Sequence, residues 1–424
     1  MPKIEIIEQD LTQATSTLGT DIPFIPGFAV ANKGKEIAYE VPTLCTSVES
    51  FKALFGDTPY VFEDAYEYHS IQVGDADRSY VMALELLKLG MPIYYYAIKP
   101  EAEEGSKPIV SFINKITKYF ATDDLTDKDE YTIKYITTGG YANYDPADTT
   151  DALNVAKAMI RIAEMRGDAI ALIEGRDTIN YSSLTYTDAE SLYHKLNSDT
   201  DIQSTYAAAF IPWARYSIGD NGIILPACYA YLSALAKTIK TGPNWLAIAG
   251  ITRGSVPKID KLHTAPGTRL SNVIANSYQP LAAETNKKIA LNAVTQINPY
   301  GLTIWGNRTL QEIKEGTVAG NFLNTRNMAS DIKKVAYRVA KSLMYEQNTD
   351  ALWIRFKSEV SPYLEQLKAG SGISDYKLIK SNVNLAGKKL SREQFACIIK
   401  IFPVAAVESF EIALVMSDAD VEVQ

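Results

Sequence analysis

Four short, apolar-rich runs, the last three set apart by helix-like segments, constrain this chain more than any other feature. They are Pro92–Ile98, Tyr131–Ile136, Ala169–Ile173 and Thr205–Pro212. Runs this short and this apolar suit strands covered on both faces. Between the second and third, Asp148–Arg166 places Leu153, Ala156, Met159, Ile160 and Ala163 on one helical stripe. A further helix is expected over 189–196. Strands separated by single helices build right-handed crossover units on a parallel sheet. The expected class is therefore α/β. Upstream, Phe24–Ala31 reads as another strand, Ser47 as the N-cap of a short helix closed by Gly56, and Arg78–Leu89 as a helix stopped by Gly90. Residues 100–130, rich in Glu, Asp and Lys, read as a surface insertion.

The last third changes character. Gly301–Gly306 reads as a strand and turn. Ile332, Val335, Ala336, Val339, Ala340 and Leu343 recur at helical spacing, so 331–345 is a strongly amphipathic helix. A helix over 349–369 closes at Gly370, and strand-like stretches follow at 376–380, 393–402 and 409–416. At the two ends, Ile4 and Ile6, and then Val421 and Val423, alternate with polar residues as half-buried strands do. An isolated strand is not stable alone in water. Such ends fray, fold back, or pair with another chain.

Chemistry-bearing motifs are absent. Cys45, Cys228 and Cys397 lie far apart with no CxxC pair, and His69, His194 and His263 have no second His at i+3 or i+4. No Gly-x-Ser-x-Gly elbow, dinucleotide fingerprint or phosphate loop occurs. We therefore expect no catalytic residue, no metal and no cofactor. With 42 basic and 50 acidic residues the net charge is −8, which disfavours a nucleic-acid partner. No apolar run approaches the roughly 20 residues of a membrane span. The start, Met1–Glu8, lacks the apolar stretch of a signal peptide, so a cytoplasmic chain is expected. Charge is also divided: residues 1–300 carry −10, residues 301–407 carry +7, and residues 408–424 carry −5.

Gly301-Leu302-Thr303-Ile304-Trp305-Gly306-Asn307-Arg308-Thr309-Leu310 resembles the G-x-x-x-W-G-x-R-T-L signature of contractile phage tail sheath proteins. Phe322-Leu323-Asn324-Thr325-Arg326-Asn327 follows, similar to that family's y-x-n-v-R-R, with Asn327 in place of the second Arg. Asn348–Trp353 resembles its E-P-N-x-x-x-L-W, with Gln347 in place of Pro. Upstream, Phe51–Gly56, Ile211-Pro212-Trp213, Leu225-Pro226-Ala227 and Gly242-Pro243-Asn244-Trp245 are similar to further family motifs, in the family's order. The resemblance covers about 20–416.

The resemblance implies a structural subunit. An outer α/β region (21–300) would be related in topology to subtilisin without its catalytic residues. An inner α+β domain (301–416) would follow, with connecting arms at 1–20 and 417–424. Subunits would stack as six-fold rings around a tail tube and contract to drive it through the target envelope. The implied partners are copies of itself, the tube protein, and baseplate and tail terminator proteins, with no direct membrane insertion. The location would be the virion tail, assembled in the host cytoplasm, of a phage or of a related particle such as an R-type pyocin. Ile4, Ile6, Val421 and Val423 would form inter-subunit strands, and Phe410, Ile412, Leu414 and Met416 an edge strand accepting them. Lys334, Arg338 and Lys341, at i, i+4 and i+7, would face the tube. Trp305 would be a core anchor under a tight turn, with Gly306, Arg308 and Thr309 also structural. Residue patterns alone leave one other class open, a cytoplasmic hydrolase-like α/β enzyme with an extra C-terminal domain.

Overall fold

The computed structural model describes residues 21–30, 36–65, 71–101, 107–141, 151–174, 202–218, 222–262, 291–311, 319–383 and 388–406. The expected helix 189–196, the expected strand 409–416, all three histidines and both terminal segments lie outside them. In chain order the strands are β1 (Pro23–Phe28), β2 (Pro42–Cys45), β3 (Ile93–Ile98), β4 (Tyr135–Ile136), β5 (Ile170–Glu174), β6 (Ala207–Ile211), β7 (Ala214–Tyr216), β8 (Ile223–Leu225), β9 (Ile259–Leu262), β10 (Asn292–Ile297), β11 (Gly301–Trp305), β12 (Ile373–Ser381) and β13 (Ala396–Pro403). The helices are α1 (Val48–Phe55), α2 (Arg78–Lys88), α3 (Pro108–Ala121), α4 (Asp151–Arg166), α5 (Ala227–Thr238), α6 (Gly250–Arg253), α7 (Leu323–Ser342) and α8 (Asp350–Ala369).

One sheet runs in the order β11-β10-β6-β5-β4-β1-β3-β2. Its inner strands are parallel, and an antiparallel strand closes each edge. β3 shows why its run carries no alternation. Tyr94, Tyr96 and Ile98 enter a core with α3 and α4, while Ile93, Tyr95 and Ala97 enter another with α1, α2 and α5. The sheet is covered on both faces, as expected of crossover units. Ser47 caps α1 through a reciprocal box with Ser50, and Gly56 closes that helix at φ 96°. β7, β8 and β9 form a small separate sheet beside it.

A second body has its own core. Met328 and Ile332 of α7 meet Phe356, Val360, Leu364 and Leu367 of α8, with Trp245 reaching in from the loop after α5. The antiparallel pair β12–β13 lies on these helices, with Ile379 opposite Ile398 and Lys377 opposite Lys400. Leu378, Ile399 and Ile401 face the core, while Ile379, Ile398 and Phe402 are exposed.

Three expectations need correction. Residues 100–130 are not a surface insertion: α3 buries Ile109, Phe112, Ile113, Ile116 and Phe120 against α4 and the sheet. Acidic and lysine-rich flanks mask that stripe in the composition. α7 starts at Leu323, well before residue 331: its first turns bury Leu323 and Met328 among polar residues such as Asn324, Thr325, Asn327 and Ser330, so no apolar stripe marks them. Residues 301–305, counted with the inner region, form β11 and pair with β10 on the large sheet.

Candidate functional site

The signature segment is a seam between the two bodies. β11 ends at Trp305 and the chain turns at Gly306, where a Cβ would stand 2.7 Å from the Cα of Asn292. Glycine is needed for that close approach. Asn292, buried at the start of β10, commits its amide to the turn. Its Oδ1 accepts from the Arg308 backbone N–H at 2.7 Å, and its Nδ2 donates to the Arg308 carbonyl at 2.8 Å and to that of Ala209 at 3.1 Å. Leu310 N–H donates to the Ala207 carbonyl of β6 at 2.8 Å.

The other side of the segment holds the start of α7. Phe322, the N-cap, has no side-chain oxygen to offer, so the first N–H groups need outside acceptors. Asn307 provides them: its carbonyl accepts from Leu323 N–H at 2.9 Å and its Oδ1 from Asn324 N–H at 3.2 Å. Thr309 Oγ1 donates to the Gly320 carbonyl at 2.9 Å, and the Arg308 guanidinium lies 4.2 Å from the Phe322 ring centre. Gly306 thus packs on the large sheet, while Arg308 and Thr309 touch the segment that leads into α7.

Trp305 is not the core anchor expected of it. It is 42% exposed while neighbouring Ile304 is fully buried. Among the described residues, the free side of the edge strand β11 is covered as far as Ile304, which donates its N–H to the Gly254 carbonyl. Trp305 lies just past that cover.

Deeper in the seam, α7 carries Asn327 where the family pattern has a second Arg. Its Oδ1 accepts from the Tyr135 hydroxyl at 3.0 Å and its Nδ2 donates to the Tyr231 oxygen at 2.8 Å. Four further buried residues meet one turn along. Lys134 Nζ donates to Asp21 Oδ1 at 2.6 Å and to Asp331 Oδ2 at 2.8 Å. Asn244 Nδ2 donates to Asp21 Oδ2 at 3.0 Å and to Asp331 Oδ2 at 2.9 Å. Burial opposes charge on Lys134, but the two carboxylates outweigh it and hold its amine above the usual lysine range. Burial and nearby Asp21 raise the Asp331 carboxyl. Sequence reasoning missed Asp21, Lys134, Asn292 and Asp331, and saw Asn244 only as part of the Gly242–Trp245 motif. They come from segments distant in sequence, and no local period marks them.

The three basic residues expected on one tube-facing stripe are separated by the fold. Lys334 is buried and donates to the Ile133 carbonyl at 3.0 Å, and desolvation brings its amine down to about 8. It belongs to the seam because α7 turns that face onto the sheet. Arg338 is exposed. Lys341 is also exposed and pairs with Asp129 at 2.7 Å. Ile4, Ile6, Val421, Val423, Phe410, Ile412, Leu414 and Met416 lie outside the described residues.

In the large sheet the strand order reverses at β1, and open α/β sheets hold ligands in the crevice at such a point. Here side chains fill it. Asp77, N-cap of α2, accepts from Phe28 N–H at 2.9 Å, Ser79 N–H at 3.1 Å and the Tyr141 hydroxyl at 2.5 Å. Burial pushes its carboxyl up to about 6. The buried Trp213 ring abuts Gly140, where a Cβ would come within 2.6 Å of it. At the end of β5, burial pushes the Glu174 carboxyl up to about 8, and the Cys228 thiol beside it is also raised by burial.

A family model described as the phage tail sheath C-terminal domain matches residues 319–417. The tail sheath protein of Vibrio phage KVP40 is 21% identical over 261 residues, covering 62% of this chain and 36% of that protein. The tail sheath protein of Enterobacteria phage T4 is 22% identical over 302 residues, covering 68% of this chain and 42% of its own length. The chain thus spans less than half the length of these two relatives. Among solved structures, the sheath complex of the extracellular contractile injection system PVC, in the contracted state, shares the fold. The TM-score is 0.62 at 16% identity, over 99% of this chain and 98% of that one. A chain of the contracted anti-feeding prophage baseplate gives 0.63 at 17% identity, over 99% of each. The fold is the one these contractile sheath and baseplate chains share. The chain is similar to contractile tail sheath proteins, and its residues 319–417 match their C-terminal domain.

Proposed function

We propose that this chain is a sheath subunit that polymerises as stacked six-fold rings around a tail tube, then contracts to drive the tube through a target envelope. The observation that carries this reading is the fold shared with a contracted sheath over nearly the whole chain. A contact that does not close on itself generates a helical filament, so one subunit type suffices for a long sheath. In this reading 21–300 is the outer region, related in topology to subtilisin, and 301–416 the inner domain, its first residues pairing as β11 with the large sheet. Residues 1–20 and 417–424 are connecting arms, through Ile4, Ile6, Val421 and Val423. The acceptor is a sheet edge of a neighbour, either the 409–416 strand with Phe410, Ile412, Leu414 and Met416, or the pair β12–β13. That pair supports the reading because no further strand joins it among the described residues. A two-stranded unit gains most from added strands.

The tube protein contacts the inner body, with Arg338 and Lys341 as candidates. Baseplate and tail terminator proteins bind the ends. Assembly takes place in the host cytoplasm, and the finished location is the virion tail. The filled crevice at the switch point speaks against the hydrolase-like alternative. Negative-stain microscopy of the purified chain tests the proposal: long hollow tubes are expected, and compact oligomers at every concentration and salt would refute it.

A further inference from the structure

We propose that the buried Asp21–Lys134–Asp331–Asn244 cluster is the anchor through which tension on the N-terminal arm enters the body and reaches the sheet and α7 together. This rests on the reading of residues 1–20 as a connecting arm. The cluster is closed and alternating: each of the two donors, Lys134 and Asn244, bonds to both acids. The Asp21 side chain is fully buried, one carboxylate oxygen on each donor, and β1 begins two residues later at Pro23.

Lys134 is itself fixed in the sheet. Its N–H donates to the Ile22 carbonyl at 2.8 Å, and its carbonyl accepts from Ile170 N–H at 2.8 Å. Asn244 belongs to the loop that sends Trp245 into the inner core, and Asp331 to α7.

Without the cluster, a pull on residue 20 would meet only the backbone bonds at Ile22 and the first ones of β1. On the β4 side that strand pairs only at Pro23 and Phe24. Bonds loaded in that way open one at a time. The cluster places charge-assisted bonds, among the strongest available to side chains, ahead of the first strand bond. It also divides the load between two bodies. Two acids and one amine would be poorly tolerated in a dry seam unless each held the others, so the group gives way as a unit.

The test is a constant-force experiment on the full chain, with handles on residue 1 and on exposed Lys357 as Lys357→Cys. Wild-type extension should stop after about 20 residues, at most roughly 70 Å, before the body opens. Asp21→Asn keeps the shape and leaves Lys134 balanced by Asp331, and β1 should then peel roughly tenfold or more faster, as expected for lost hydrogen bonds to a charged group. Asp331→Asn should also speed peeling, since it cuts the link to α7. A wild-type rate in Asp21→Asn overturns the anchor, and a wild-type rate in Asp331→Asn alone overturns the share given to α7. Because single chains are pulled, the result stands apart from sheath assembly. If arm deletions leave assembly intact, the arm reading fails while the clamp can still be measured.

Discussion

Ile304 and Trp305 are neighbours with opposite roles, and the larger one matters less for stability. Trp305→Ala should cost under about 1 kcal/mol, whereas Ile304→Ala should cost about 2–5 kcal/mol, because only the latter opens a cavity. Urea unfolding of both variants checks the order. Glu174 makes a prediction with a definite sign. Its folded carboxyl titrates at about 8 instead of 4.5, so between those values the folded state binds a proton that the unfolded state has released. Stability therefore falls as pH rises from about 5 to 8. Glu174→Gln removes this dependence. Its advantage over the wild type should grow across that window to on the order of a few kcal/mol. A constant difference in urea midpoint between pH 5 and 8 would refute the assignment. Neither residue was legible in sequence: a Trp beside a glycine looks like an anchor, and a Glu ending an apolar run looks like a surface cap. Exposure at a sheet edge and burial under α5 are set by tertiary neighbours alone.

α7 shows where periodicity stops informing. Its apolar stripe from Ile332 onward predicts the helix well. The turns before it are mostly polar, buried and held by Asn307, Tyr135, Tyr231 and Lys134, and Leu323 and Met328 alone make no hydrophobic period. The strands are legible for the opposite reason. Burial on both faces leaves β3, β5 and β6 as unbroken apolar runs that no helix could carry unnoticed. The signature motif was legible as a pattern, but its contacts with Asn292 and Asn324 were not. The same helix separates two effects of charge reversal. Lys334→Glu puts a carboxylate against the Ile133 carbonyl inside the seam and should lower the melting temperature by many degrees. Arg338→Glu with Lys341→Glu should leave melting within a few degrees, since both are exposed, while weakening assembly on the tube at low salt. Normal tails from that double variant would remove these residues from the tube contact.

At the scale of the whole molecule, the chain joins an acidic body and a basic one through a buried polar seam. Residues 1–300 carry −10 and residues 301–407 carry +7. In the proposed sheath, an acidic exterior would keep the particle soluble, and a basic interior would hold the tube by contacts weak enough to release. What such a particle needs besides is a connection that survives rotation of its subunits. Backbone pairing by an extended arm meets that need, because its bonds depend little on side-chain detail and a flexible lead lets the bodies turn. The alternating ends, Ile4 with Ile6 and Val421 with Val423, fit such strands, and the acids Asp418, Asp420 and Glu422 oppose chance edge pairing by free monomers. Deleting 417–424, or changing Ile4 and Ile6 to Asp, should therefore leave a folded, soluble subunit with unchanged melting that no longer polymerises. Microscopy and sedimentation of both variants decide the matter. Long sheaths from either one would move the connection from the arms to the faces of the globular bodies.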